Sequence, residues 1–165
     1  MEDMRYDFAK EIYKIECDRE NGLNNKSQIY LSLLTIILSS LIFNIKDIFD
    51  LLNSTKFEEN KCLIKVCLIE ISIFSCFALG FLFFSMKIFN YKNLKNINDI
   101  KPFYFPTIID NHDFISRRSI DFLIAAKHNR IVNNTKADLL KSAFICIFIS
   151  FIFSFLFLTL IITRI

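Results

Sequence analysis

The chain has 165 residues, of which 53% are hydrophobic and 15% aromatic, with 20 Phe, only 2 Gly and 2 Pro, and a formal net charge of +3. These figures exclude a disordered chain, a collagen and an ordinary soluble domain, because a soluble domain of this size cannot hide so much apolar surface. The apolar residues are concentrated in a few blocks, which indicates that lipid surrounds part of the chain.

Residues 1–26 predict a cytoplasmic N-terminal helix. Its sequence is charged, with a thin apolar line formed by Met4, Phe8, Ile12 and Ile15. The segment is too acidic for a signal peptide, so we expect it to stay in the mature protein. It is interpreted as a solvated helix near the lipid headgroups, with a dedicated partner-binding helix as the alternative.

Three transmembrane helices are predicted. The first run without charged residues is 27–45, the second is 66–86 if Glu70 is accepted near its start, and the third is 142–163. At about 1.5 Å per residue, these runs match a hydrocarbon core of about 30 Å. The alternative is that these runs are buried helices of a soluble protein. Such helices do not need runs of this length without a polar face. The fold class is therefore an all-α membrane protein.

The domain organisation follows from these runs. Residues 27–87 form a transmembrane hairpin whose connection, 46–65, is short and external. Residues 88–138 form a cytoplasmic segment, and residues 139–165 hold the third transmembrane helix and a short external tail. After the two prolines at 102 and 106, no Gly or Pro occurs from Ser116 onward, which predicts one long helix running into the third span.

The distribution of Lys and Arg predicts the orientation. Residues 1–26 and 87–141 carry fifteen of them, whereas the hairpin connection and the C-terminal tail carry five. Because basic residues are retained in the cytoplasm, we expect the N-terminus and the long connection to be cytoplasmic and the C-terminus external.

No motif of an enzyme or a cofactor site is present. The sequence lacks a Gly-rich phosphate loop, a GxSxG and an HExxH pattern, and its five cysteines form no CxxC pair. His112 lies in the run 110–113, which resembles a metal or acid–base cluster but is more typical of a turn before a helix. We therefore expect no enzymatic activity, no metal and no cofactor.

Glu70 is the one ionisable residue inside a predicted span. A carboxylate in hydrocarbon costs several kcal/mol unless it is solvated, paired or protonated. Two interpretations stay open: a Glu that reaches the external interface, and a residue that lines a pore or pairs between helices.

Each predicted span also carries a row of small or polar residues at helical spacing. Such rows let helices approach closely in lipid. Whether the rows pack within one chain, between chains or around an aqueous path is not decided by their spacing. The rows are Gln28, Ser32, Thr35 and Ser39 in the first span, Ser72, Cys76 and Gly80 in the second, and Cys146, Ser150 and Ser154 in the third.

Basic residues on the predicted cytoplasmic helix are a candidate ligand site. A patch of this kind could hold phosphate groups of a nucleotide or of anionic lipid, and the alternative is that it sets the topology and meets the leaflet surface. Duplex nucleic acid is not expected, because no recognition motif accompanies the charge. The candidate residues are Arg117, Arg118, Lys127 and Arg130.

The layout resembles a known group of proteins. The charged N-terminal helix, the two-span hairpin, the aromatic stretch FYFPTIIDNHDFI and the helix LIAAKHNRIVNNTKADLLKSAFICIFI are similar to the small membrane effectors of bacterial anti-phage signalling, chiefly the Pycsar transmembrane effectors and more loosely the SLATT proteins. Lys136, Leu140 and Ala143 stand where that group has a K-x-x-x-L-x-x-A-like stretch before its final span.

The resemblance implies a homo-oligomer that forms a pore or otherwise depolarises the inner membrane and so causes abortive infection. Its cue would be a cyclic nucleotide or another protein of the defence system, acting on residues 92–138. Two rivals remain: a non-conducting membrane adaptor that anchors a soluble partner, and a transporter subunit in which Glu70 couples transport.

Overall fold

The structure, a computed structural model, describes residues 2–53, 61–87, 91, 94 and 111–162. Four helices make up nearly all of this part of the chain: α1, Glu2–Phe43; α2, Ile45–Asn53; α3, Lys61–Lys87; and α4, Asn111–Ile162. No strand occurs among these residues. The prediction of an all-α fold is confirmed.

Three of the helices are long and apolar enough to cross a membrane. They are α1 from Met4, α3, and α4 from Phe114, and their most apolar windows have mean hydropathies of 1.5, 2.3 and 2.9. At most 28% of each window is buried inside the chain, so most of this apolar surface faces outward. Water is a poor solvent for such a surface, whereas lipid tails are not. The chain is a membrane protein with three candidate spans.

Helix boundaries differ from the predicted spans at the end of the first span and at the start of the second. The single long helix predicted from Ser116 into the third span is confirmed, since α4 runs unbroken for 52 residues. The first predicted span ends at Ile45, but α1 ends at Phe43. Asn44 separates α1 from α2, and its side-chain amide donates to the Ser40 carbonyl oxygen at 2.7 Å. Asparagine competes with the helix for backbone partners in this way, which favours a helix end.

Contacts divide the chain into two compact units. Unit 1 comprises Met1–Asn24 and Phe89–Ala137, and unit 2 comprises Asn25–Ile88 and Asp138–Ile165. The helices α1 and α4 therefore each contribute to both units, whereas α2 and α3 belong entirely to unit 2.

Burial along α1 and α4 follows a repeat of about 3.5 residues. This spacing is typical of helices that pack side by side in the manner of a coiled coil. In α1 the buried residues are Ala9, Glu16, Leu23, Ser27 and Leu34. In α4 they include Phe122, Ala126, Asn129, Asn133, Lys136, Leu140, Ala143, Ile147, Ser150 and Phe157.

The core of unit 2 is apolar, with serines at the close contacts. All four helices contribute to one cluster, in which Ile48 of α2 packs with Ile64 and Ile71 of α3 and Phe157 of α4, bordered by Leu41 of α1. Buried serines face each other in two pairs, Ser75 with Ser150 and Ser27 with Ser85, each with 3.4 Å between hydroxyl oxygens. Small hydroxyl residues let helices approach closely and bond across the interface in lipid.

Replacing Ser75 with Leu tests the close contact at Ser150. We expect Ser75→Leu to lower the free energy of unfolding by about 1–3 kcal/mol, because a larger side chain overpacks a fully buried site. The measurement is denaturation in detergent followed by circular dichroism. Ser72→Leu is the matched control, since Ser72 is exposed on the same helix. Equal effects of the two changes would contradict the packing described here.

Candidate functional site: a buried polar network in unit 1

In unit 1 the contact between helices is polar, whereas in unit 2 it is apolar. Glu16, Asn129, Asn133 and Lys136 are all buried at core positions of α1 and α4. Burying such groups is costly unless each finds a hydrogen-bond partner. The arrangement of those partners therefore determines how the two helices pair in this unit.

Asn133 is the centre of the network. Its amide nitrogen donates to both the backbone oxygen and the side-chain Oε2 of Glu16, each at 2.9 Å. Its amide oxygen accepts a hydrogen bond of 2.7 Å from the Tyr91 hydroxyl. Through one side chain, α4 is thus tied both to α1 and to the segment that follows α3.

Arg19 extends the network towards the surface. Its Nη1 lies 3.7 Å from Glu16 Oε2, and its Nη2 donates to Asn134 Oδ1 at 2.9 Å. The Arg19 side chain is 40% exposed. Because solvent screens an exposed pair, we assign most of the stabilisation to the buried bonds of Asn133.

A second polar contact lies further along the same helices. Lys136 is buried, and its Nζ donates to Asn24 Oδ1. Burial lowers the pKa of Lys136, an effect that the carboxylate of Glu20 opposes. Burial raises the pKa of Glu20, and the positive charge of Lys136 opposes that shift. Each group thus partly offsets the desolvation of the other.

The other end of unit 1 is aromatic. Phe122 of α4 packs against two rings of α1, with ring centroids 5.7 Å from Tyr6 and 5.4 Å from Tyr13. The guanidinium of Arg118 lies 5.1 Å from the centroid of Phe122. The Tyr13 hydroxyl accepts a hydrogen bond of 3.2 Å from the backbone amide of Leu94. Tyr91 and Leu94 therefore both attach the segment after α3 to this helix pair.

The four candidate ligand residues do not form one site. Arg118 is buried against Phe122 and lies 3.9 Å from Asp121, whereas Arg117, Lys127 and Arg130 are exposed. At 100° per residue, positions 118 and 127 lie on opposite sides of a helix. An anion could meet at most the three outward residues. Whether any of them binds a ligand stays a prediction.

The predicted rows in the spans lie mostly on outward faces. In α1, Gln28, Ser32 and Thr35 are exposed and Ser39 is half-buried. The hydroxyls of Ser32 and Thr35 donate to backbone oxygens four residues earlier, at 3.0 and 2.8 Å. Within the chain, the neighbouring row with Ser27 and Leu34 is the one that packs.

The other two rows differ from each other. In α3, Ser72 and Cys76 are exposed and Gly80 is half-buried, while the buried small residues are Cys67, Ser75, Ala78 and Ser85. In α4, Ser150 is fully buried, with Cys146 and Ser154 half-buried beside it. Glu70 is half-buried. Only the row of α4 places a residue in the contacts of the chain's own core.

The His112 cluster lies outside the described residues. Asp110 is not described, nor are the side chains of Asn111, His112 and Asp113. Elsewhere in the described ranges, no three His, Cys, Asp or Glu side chains are grouped closely enough to hold a metal ion. All five cysteines are free thiols.

No family model, curated protein or solved structure matches the chain. Inference about the site therefore rests on the residues themselves.

Sequence reasoning missed the network, although part of its signal is present. Ala9, Glu16 and Leu23 are seven residues apart, and Asn129, Asn133 and Lys136 continue a spacing of four and three into the third span. Extending the seven-residue repeat upstream from the spans would have found Glu16 and Asn133. No local signal identifies Tyr91.

Asn133→Ala tests the centre of the network. Removing the amide leaves the Tyr91 hydroxyl and the Glu16 carboxylate without this partner, so we expect a loss of about 2–4 kcal/mol in the free energy of unfolding. The matched control is Asn134→Ala, at an exposed neighbour, with an expected loss below about 1 kcal/mol. Denaturation in detergent measures both, and a loss at Asn133 no larger than at Asn134 would contradict the network.

Tyr91 gives the network a spectroscopic signature. Burial raises its pKa from 10.0 to about 12, and the negative charge of Glu20 adds to the effect. Because the folded-state pKa is the higher one, the stabilisation by Tyr91 is complete below pH 10 and is lost as the pH rises through about 12. The difference in tyrosinate absorbance between wild type and Tyr91→Phe should titrate near pH 12. A midpoint near pH 10 would show that Tyr91 is not buried.

Proposed function

We propose that this chain is an oligomeric effector of bacterial anti-phage defence in the inner membrane. In this proposal the assembly depolarises the membrane when a cytoplasmic cue acts on unit 1. The proposal joins the resemblance of the sequence to small anti-phage membrane effectors with two features of the structure, an outward polar row in α1 and a polar core in unit 1.

The outward polar row in α1 is the observation that carries the proposal. Gln28, Ser32 and Thr35 are exposed in the part of α1 that is apolar enough to span a membrane. Lipid tails offer no hydrogen-bond partner to a polar row on the outer face of a helix. Rows of this kind favour association with another helix, either as a dry contact or as the lining of an aqueous path. A second copy of the chain would supply that helix.

The charge distribution supports the orientation. The two sequence segments richest in Lys and Arg, 1–26 and 87–141, contain all of unit 1. Basic segments are retained in the cytoplasm, so we place unit 1 there and the C-terminus outside.

The polar core of unit 1 supports a response to a cue. A buried network is stable only when all of its members are satisfied. A ligand or protein that binds better when the Asn133 bonds are broken would shift the population towards that arrangement. The segment proposed to receive the cue, 92–138, contains Asn133 and Lys136, and Tyr91 lies next to it.

A second candidate function is a non-conducting adaptor that anchors a soluble protein. Exposed apolar residues on the outer face of α1 in unit 1, namely Met4, Phe8 and Ile15, favour it, because such residues commonly mark a protein interface. The two functions differ in whether the membrane potential changes.

Membrane potential in a bacterial host that expresses the chain separates the two. We expect induction to depolarise the cells, as read with a potential-sensitive dye, and the double change Ser32→Leu with Thr35→Leu to reduce the effect at least tenfold, because it removes the polar row. Ser40→Leu is the matched control, since Ser40 is exposed on the same helix but off the row. Expression levels in the membrane must be equal.

Two results would contradict the proposal. A normal potential after induction, together with capture of a soluble protein, would favour the adaptor. Depolarisation that is equally strong with the double change and with Ser40→Leu would show that the row has no part in the effect.

A further inference from the structure

Unit 1 carries two exposed rows with the same spacing. In α1 the row is Met4, Phe8, Glu11 and Ile15, and in α4 it is Ile120, Ile124, Lys127 and Ile131. Both rows advance by four, three and four residues, and all eight side chains are exposed, Phe8 at 61% and Ile131 at 60%. Each row has the spacing with which one helix packs against another.

The two rows also lie at the same height. Within unit 1, α1 and α4 run parallel, since Tyr6 contacts Phe122 and Glu16 bonds to Asn133 further along both helices. Hydrogen-bonded partners on α1 and α4 in this unit are separated by 112 to 117 residues. To within about one helical turn, a residue of α1 is therefore level with the residue of α4 about 116 positions later, so Met4 lies near the level of Ile120 and Glu11 near that of Lys127.

The row of α4 lies outside the buried contact with α1 of its own chain, and only at its start do the two rows share an open cavity, which Phe8 and Ile120 both line. Buried Phe122, Ala126 and Asn129 form the face of α4 that packs in unit 1. At 100° per residue, Ile120, Ile124 and Lys127 point to the opposite side. The row is thus available to another helix.

The two rows are complementary in charge. Each row holds one charged residue, and the two have opposite signs: Glu11 in α1 and Lys127 in α4. Beside the rows, both helices carry exposed charges of both signs, such as Asp7 and Lys14 in α1 and Arg117 and Asp121 in α4. Opposite charges favour pairing of α1 with α4 over pairing of two like helices, and they disfavour an anionic lipid surface as the occupant of the α1 row.

We propose that the row of α1 in one copy packs against the row of α4 in the next copy. A rotation about an axis parallel to the helices preserves height, so Met4, Phe8 and Ile15 would meet Ile120, Ile124 and Ile131 of a second copy, and Glu11 would meet Lys127 of a second copy. Such a contact is heterologous, because it joins two different surfaces of the chain, and it builds a ring if the rotation closes. The inference rests on the oligomer of the proposed function and names an interface for it outside the spans.

Charge reversal tests the contact. The variants are Glu11→Lys, Lys127→Glu and the two combined. We expect each single reversal to weaken association about tenfold, because it places like charges opposite each other at every copy of the interface, and the combined variant to restore it. Association is measured as co-purification of two differently tagged copies from detergent-solubilised membranes and as particle mass by light scattering.

The control is Lys10→Glu, a reversal of an exposed charge on α1 that is off the row. It should leave association unchanged. Restoration by the combined variant distinguishes a lost contact from a general folding defect. Two folding defects in one chain would add, whereas an exchanged pair of opposite charges attracts again. The contact is wrong if the single reversals behave like Lys10→Glu, or if combining them restores nothing.

The two proposals can fail separately. If single charge reversals leave the mass unchanged while Ser32→Leu with Thr35→Leu reduces it, the contact in unit 1 is wrong and the proposed function stands. If the charge reversals act as expected in a chain that does not depolarise cells, the contact stands and the effector function is wrong. A wild-type chain that is monomeric throughout overturns both.

Discussion

The pairing of α1 with α4 along a repeat of about 3.5 residues is the constraint on which the rest of the structure depends. It brings together residues more than a hundred positions apart, such as Glu16 with Asn133 and Tyr30 with Phe144. In each unit, α1 and α4 bury residues at this spacing, and many residues on their opposite faces are exposed. The outward rows considered for assembly are a geometric consequence of that pairing.

The two units use the same packing repeat with different chemistry. In unit 2 the core is apolar, with two pairs of serines at the close contacts. In unit 1 the bonds of Asn133 are directional, so a slip of one heptad would separate it from Glu16 and leave both buried without this partner. Polar core residues commonly fix register in paired helices. These bonds therefore set the register of α1 against α4 within unit 1.

Much of the fold was predictable from sequence, because long runs of apolar residues depend on composition alone. The all-α class and the three apolar helices were confirmed on that basis, as was the unbroken α4. The phase of the packing was not predictable. In α1, Ser27 and Gln28 begin rows of equal period and similar polarity, and only the position of α3 decides that Ser27 faces Ser85. Arg118 and Arg117 were likewise indistinguishable until Phe122 placed one of them inward.

The separation of 117 residues between Glu16 and Asn133 also has a consequence for biogenesis. Ribosomes add about 5–20 residues per second, so Glu16 of α1 is synthesised about 6 to 23 s before Asn133 of α4. During that interval the carboxylate of Glu16 can bond only with water, lipid headgroups or a neighbouring nascent chain. Contact between nascent chains on one polysome would then compete with pairing of α1 and α4 within each chain. The time at which α4 emerges would decide which of the two contacts forms.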